Sequence, residues 1–290
     1  MGSKSVVLTE SCSEEFALCV RLHSLHLLND IEARVRLAAG EVMGALCKRD
    51  GVEIYISSKD IILEGVQLNL DRQPISDSSH EEVKQTEVLM EKLASSPGKE
   101  CHTADAAKIF HDTAGWKNLE TWMKCLQCVI VGCGTQFSEQ ITQDLLDLLF
   151  QALTHTNRFV RETGYYVCSA IVSCGSQEED EGEPMESEFL MAGQPDENPI
   201  VLHGNEFALH LSNGLADNWS QVRLAASVAT RQFIMNLPNE EARQIFYPIL
   251  IPRMCLNRYY VAEGVRIYSQ ETWRRVHRKS RKRTSRNLHC

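Results

Sequence analysis

The stretch DNWSQVRLAASVA, residues 217–229, sets an acidic residue five positions ahead of a Val-Arg pair and follows that pair with small apolar residues. The same order returns as Asp30, Val35-Arg36 and Ala38-Ala39. It returns in altered form as His155, Val160-Arg161 and Gly164, and again at Val261-Ala262 with Gly264, where alanine replaces the arginine. A second similarity is independent of the first: VIVGCG at 129–134 and AIVSCG at 170–175 stand 41 residues apart. A unit of about 40 residues holding two amphipathic helices is the range of helical repeat arrays, whose units bury their apolar faces only by stacking on one another.

Within the opening stretch, Val222, Ala225, Ala226 and Ala229 recur at three- and four-residue spacing and form one apolar helix face. Their small size lets neighbouring helices approach closely. Asp217 or a neighbour is placed to accept from unpaired amides at the helix start. Trp219 is expected to pack over that cap, and Arg223 lies off the apolar face, free to bond to an adjacent unit. This arrangement resembles the HEAT-type repeat of the HEAT/armadillo class. The resemblance implies an all-α, right-handed α-solenoid of about six helix pairs. It also implies a hydrogen-bonded ladder between repeats, with Asp30 and Arg36 at one rung, Asp217 and Arg223 at another, and Arg161 matching at the arginine alone. DTAGWKNLET at 112–121 looks like a Trp-containing variant of the same turn without the arginine.

Along the chain, residues 1–13 read as a flexible N-terminus and 14–175 as repeats. Ser11 and Glu14 suit a capping box before the first helix, which runs to about Leu28, and its partner covers about 31–47. Residues 58–70 suggest a further helix. A loop near 71–80 and helical periodicity at 81–94 make this second unit degenerate. Helices are expected at 103–111 and 116–131, and then in the pair containing TQDLLDLLFQAL and RFVRETGYYVCSAIV. Residues 176–199 carry nine acidic side chains and read as a disordered insertion. This explains why Val160 and Val222 are 62 positions apart. Repeats resume over 200–273, and 274–290 form a basic tail. The abrupt change after an ordinary-looking unit suggests an array cut short, which predicts exposed apolar surface on the last helix pair.

Composition agrees with a folded helical chain: 43% hydrophobic, 24% charged, and only 16 glycines and 8 prolines. The net charge of −9 conceals an asymmetry, because residues 274–290 hold eight Lys or Arg and no acid, leaving −17 on the remainder. The eleven cysteines fall largely in helix-like segments. Without a recognisable signal peptide they read as free thiols in a reducing compartment. Val6 breaks the myristoylation pattern, and no segment approaches the ~20 apolar residues of a membrane span. A cytoplasmic, possibly nuclear location is expected.

Candidate chemistry is sparse. Cys19, His23, His26 and Asp30 share one helical stripe, but one straight helix cannot wrap four ligands round an ion, so no metal is expected. Cys125-x-x-Cys128 lacks a second pair, and the GCG at 132–134 lacks the third glycine of a dinucleotide loop; its SCG counterpart reads it as a helix ending. No catalytic motif is present and no cofactor is expected. Arg158, Tyr165, Tyr166, Arg258, Tyr259 and Tyr260 are placed on second helices, half or more of them between units. The expected function is a non-catalytic protein-binding scaffold or adaptor in a larger assembly, with the partner on the concave surface of the array. The alternative is a nuclear, nucleic-acid-associated protein using Arg278, Lys279, Arg281, Lys282 and Arg283, a cluster suited to an import receptor or a polyanion.

Overall fold

A computed structural model describes residues 13–70, 116–174 and 198–286. These residues form an all-α fold of twelve helices and one 3-10 segment: α1 Glu14–Leu27, α2 Ala33–Asp50, α3 Glu53–Ile56, α4 Lys59–Leu70, α5 Trp116–Cys133, the 3-10 segment Gly134–Gln140, α6 Gln143–Leu153, α7 Arg158–Ser173, α8 Pro199–Leu202, α9 Gly204–Gly214, α10 Ser220–Asn236, α11 Glu240–Asn257 and α12 Glu263–Arg286. Packing is mostly local. One row of helices runs α2, α5, α7, α10, α12, each touching the next. The first helices α4, α6, α9 and α11 form a second row beside it, and α1 packs on α2.

Short polar residues start several of these helices by accepting from otherwise unpaired amides. Thr142 accepts from Leu145, Asn157 from Phe159 and Val160, Asn198 from Ile200, and Asn239 from Ala242. Ser13, not Ser11, caps α1, accepting from Phe16 at 3.3 Å. Asp217 does not cap α10 directly. Its Oδ1 accepts from the Trp219 amide and closes the turn, while the N-cap residue is Trp219 itself. Pro248 and Pro252 lie inside α11, each removing an amide donor from the helix ladder.

Five first-and-second helix pairs are formed among the described residues, where about six were expected. The most extensive junction is α2 on α5, so no complete pair stands between them. Small residues permit it. A methyl group at Gly132 would lie 2.2 Å from the Gly44 carbonyl oxygen, and one at Gly44 would lie 2.6 Å from that of Cys128. The two backbones therefore meet with no side chain between them. Elsewhere the two rows are joined by large apolar side chains. Phe150, Phe207, Phe233 and Phe246 form a chain of ring contacts through α6, α9, α10 and α11, with centroids 5.5, 6.1 and 5.2 Å apart.

Other boundaries differ from expectation. The chain is helical without a break from Glu263 to Arg286, so the last helix runs on through residue 274, where the basic stretch was expected to begin, and Val276 still packs on the core. The described chain resumes at Asn198, which caps a helix starting at Pro199, inside the expected insertion, whose residues 176–197 lie outside the described residues. So do 1–12, the loop at 71–80 and the helical stretches expected at 81–94 and 103–111. Arg258 is the C-cap residue of α11, and Tyr259 and Tyr260 follow it in the turn, not on a second helix.

Candidate interaction surface

Four arginines occupy the fourth position of their helices: Arg36 in α2, Arg161 in α7, Arg223 in α10 and Arg266 in α12. Each donates to carbonyls five or six residues back in its own turn. Arg36 bonds Asp30 and Ile31 at 2.7 and 3.0 Å, Arg161 bonds His155 and Thr156 at 2.8 Å, Arg223 bonds Asp217 at 3.0 Å, and Arg266 bonds Tyr260 and Val261 at 3.3 and 3.4 Å. The turn is thereby pinned to the helix that follows it. Arg266, four positions beyond Ala262, sets the register of the last pair. The shared residue types, a Val followed within one turn by a Gly, had placed that register one helical turn too early.

Three of these arginines also reach the next pair. Arg36 Nε donates to Thr121 Oγ1 at 3.0 Å. Arg161 donates through Nε and Nη2 to both carboxylate oxygens of Asp217, at 2.9 and 3.2 Å. Arg223 Nη1 donates to Asn257 Oδ1 at 2.8 Å, and Asn257 returns a bond to the Leu215 carbonyl. A two-point arginine–carboxylate bond fixes angle as well as distance, and here it fixes one pair against the next. Asp30, His155 and Asp217 share one local task, each accepting an amide two residues on. His155 does so through Nδ1, which requires a neutral ring. Burial and then the Arg161 charge hold its pKa below the ordinary histidine value. Burial likewise lowers Arg36, against the opposing charges of Asp30 and Glu32.

Arg–aromatic stacking reinforces the same edge. Arg158 lies 3.9 Å from the Trp219 ring centre, Arg223 4.1 Å from Tyr260 and Arg258 4.6 Å from Trp273. Trp219 thus stacks on the preceding pair instead of covering its own helix start. Tyr165 is fully buried, with its hydroxyl on the His210 carbonyl.

A half-buried polar strip crosses the row of second helices. On α5, Lys124 stands 5.8 Å from the Tyr166 ring of α7, and Glu120 faces Glu162 of α7, its pKa raised first by burial and, against the pull of Lys124, by that second carboxylate. On α10, Arg231 stacks 3.5 Å from the Tyr268 ring of α12 and donates to Thr272 Oγ1 and the Tyr268 carbonyl. Glu271 pairs with both Arg231 and Arg275, which hold its carboxyl below the usual range. Of this strip, sequence reading singled out Tyr166 alone. Arg231 and Tyr268 carried no signal, because their relation exists only where α10 meets α12.

The described residues offer little to a small ligand. They contain no group of three possible metal-ligating side chains, and Cys125 faces Gly40 across the α2–α5 junction. A cleft of about 380 Å³ beside Asn29, Asp30, Asn69 and Asn118 is polar and open, unlike an enclosed apolar pocket. None of the described helices is long and apolar enough to cross a membrane. Arg278, Lys279, Arg281, Lys282 and Arg283 lie on the helical backbone of α12; their side chains are outside the described residues. No protein-family model matches the chain, and neither a curated protein nor a solved structure is similar to it.

Proposed function

We propose that the chain is a non-catalytic scaffold or adaptor, a HEAT-like solenoid that holds an extended segment of a protein partner along its row of second helices. The observation that carries this reading is the strip from Lys124 and Glu120 through Glu162 and Tyr166 to Arg231, Tyr268 and Glu271. It runs across four successive helices, mixes both charges and sets two tyrosines among them. Tyrosine and arginine supply much of the energy of protein contacts because they combine large apolar area with directional bonds. Such a strip suits a peptide of alternating charge better than a small molecule. The reading carries a cytoplasmic location, nuclear entry through the basic end, and no cofactor or metal.

The test is affinity capture from cell extract with the full chain and with Tyr268→Ser combined with Lys124→Glu, at moderate salt. Partners retained by the first and lost by the second support the strip. Identical recovery refutes it. A second reading has the basic end of α12 binding a polyanion, favoured by the continuous helix that carries the cluster. Glutamine at Arg278, Lys279, Arg281, Lys282 and Arg283 should then abolish salt-dependent binding of a DNA duplex. Val276 stays in place in this variant, so its packing on the core is not disturbed.

A further inference from the structure

The ladder described above is open at both ends, and the ends are complementary. Arg266 repeats the inward half of each rung, holding the Tyr260 and Val261 carbonyls, but among the described residues its Nε and Nη2 meet no acceptor. Asp30 repeats the inward half of Asp217, its Oδ1 taking the Glu32 amide, and among the described residues no arginine reaches its carboxylate. The Arg161–Asp217 rung shows what the two halves make when joined.

Apolar surface flanks each half. Beside Asp30, Ile31 is 93% exposed, and Phe16 and Leu22 of α1 are exposed as well. Beside Arg266, Val261 is 85% exposed, with Leu256 and Ile245 of α11 also in the open. Charge is opposed in the same sense: α12 carries the basic cluster at one end, while Glu14, Glu15 and Glu53 belong to the first pairs at the other.

We propose that the chain self-associates head to tail, the Arg266 edge of one copy closing on the Asp30 edge of the next. The contact is heterologous and continues the stacking of one pair on the next, so it repeats in the direction of the array and gives open oligomers whose length grows with concentration. It covers the apolar side chains at both ends and joins the two half-rungs that stand open at the ends of each copy.

The experiment is sedimentation velocity of the full chain from about 1 to 100 µM, a range set by the modest affinity of small polar-rimmed contacts. Wild type should show weight-average mass rising with concentration. Arg266→Asp and Asp30→Arg, each alone, should weaken association by about tenfold or more, the loss expected for a central contact residue. Mixed in equal amounts, the two variants should restore association, because the intact Asp30 of one meets the intact Arg266 of the other. Ile31→Glu, at a position that is almost fully exposed, should weaken association without changing the melting temperature. It keeps the test open if a ladder variant folds poorly. A wild-type chain monomeric throughout, a dimer that stops at two copies, or association indifferent to all three substitutions would overturn the proposal.

Discussion

Replacing Gly132 by alanine tests the claim that the α2–α5 junction is set by backbone contact. The added methyl would sit 2.2 Å from the Gly44 carbonyl oxygen and 2.9 Å from the Cys47 Cβ. Neither is the far end of a flexible side chain, so the helices must part by about 1 Å to restore ordinary contact. Overpacking of this kind costs about 1–3 kcal/mol and occasionally more. Alanine recovers at most about 1 kcal/mol of that through its helix propensity. A net loss of about 2 kcal/mol corresponds to a melting temperature lower by about 4–8 °C for a chain of roughly this size. Gly264→Ala is the control: its methyl would meet only Leu224 Cδ2, at 3.8 Å, so stability should hold or rise slightly. Thermal melts followed by circular dichroism compare the two. Gly132→Ala melting at or above wild type would show that the junction yields freely and that the glycines are not what sets it.

Arg161→Ala strands the Asp217 carboxylate and two carbonyls in a partly buried site, and should cost about 2–4 kcal/mol. Arg266→Ala, with no rung across to a following pair, should cost under about 1 kcal/mol; equal urea midpoints for the two variants would deny the rung any stabilising role. His155 is held neutral in the fold, its pKa lowered by burial and by Arg161. Its contribution to stability is therefore complete above the unfolded value near 6.5 and is lost as pH falls below it. His155→Asn should flatten the decline of urea midpoint between about pH 7 and pH 5 by at most ~1.4 kcal/mol per pH unit; an unchanged slope would place the proton elsewhere. Cys19 is exposed, whereas Cys168 is buried and its thiol is pushed up by burial, and Cys174 is pushed up to about 12. Mass-spectrometric mapping of native alkylation should find Cys19 modified promptly and Cys168 only after unfolding.

Much of the local order was legible because it depends on neighbours in sequence. The apolar stripe of Val222, Ala225, Ala226 and Ala229 follows from helical periodicity, and all four are buried. The Val-Arg recurrence marks where second helices begin because each arginine must sit one turn inside its helix to reach back to its own turn. The register of the last pair was misread for a related reason. Val261 and Gly264 repeat the residue types, but the chain there turns four residues later, and only the Arg266 bonds show it.

What the tertiary structure decided is everything that spans units. Thr121 and Asn257 serve as ladder acceptors from positions unlike that of Asp217, because an arginine takes whichever oxygen lies within its reach. Arg231 and Tyr268 meet across two helices, and α2 meets α5 over a long intervening stretch because Gly44 and Gly132 remove the side chains that would hold them apart. Helix periodicity is a property of a few consecutive residues and can be read from them alone. The choice of neighbour is made by the packing of whole helices, where the presence or absence of a single methyl group decides how near two backbones can come.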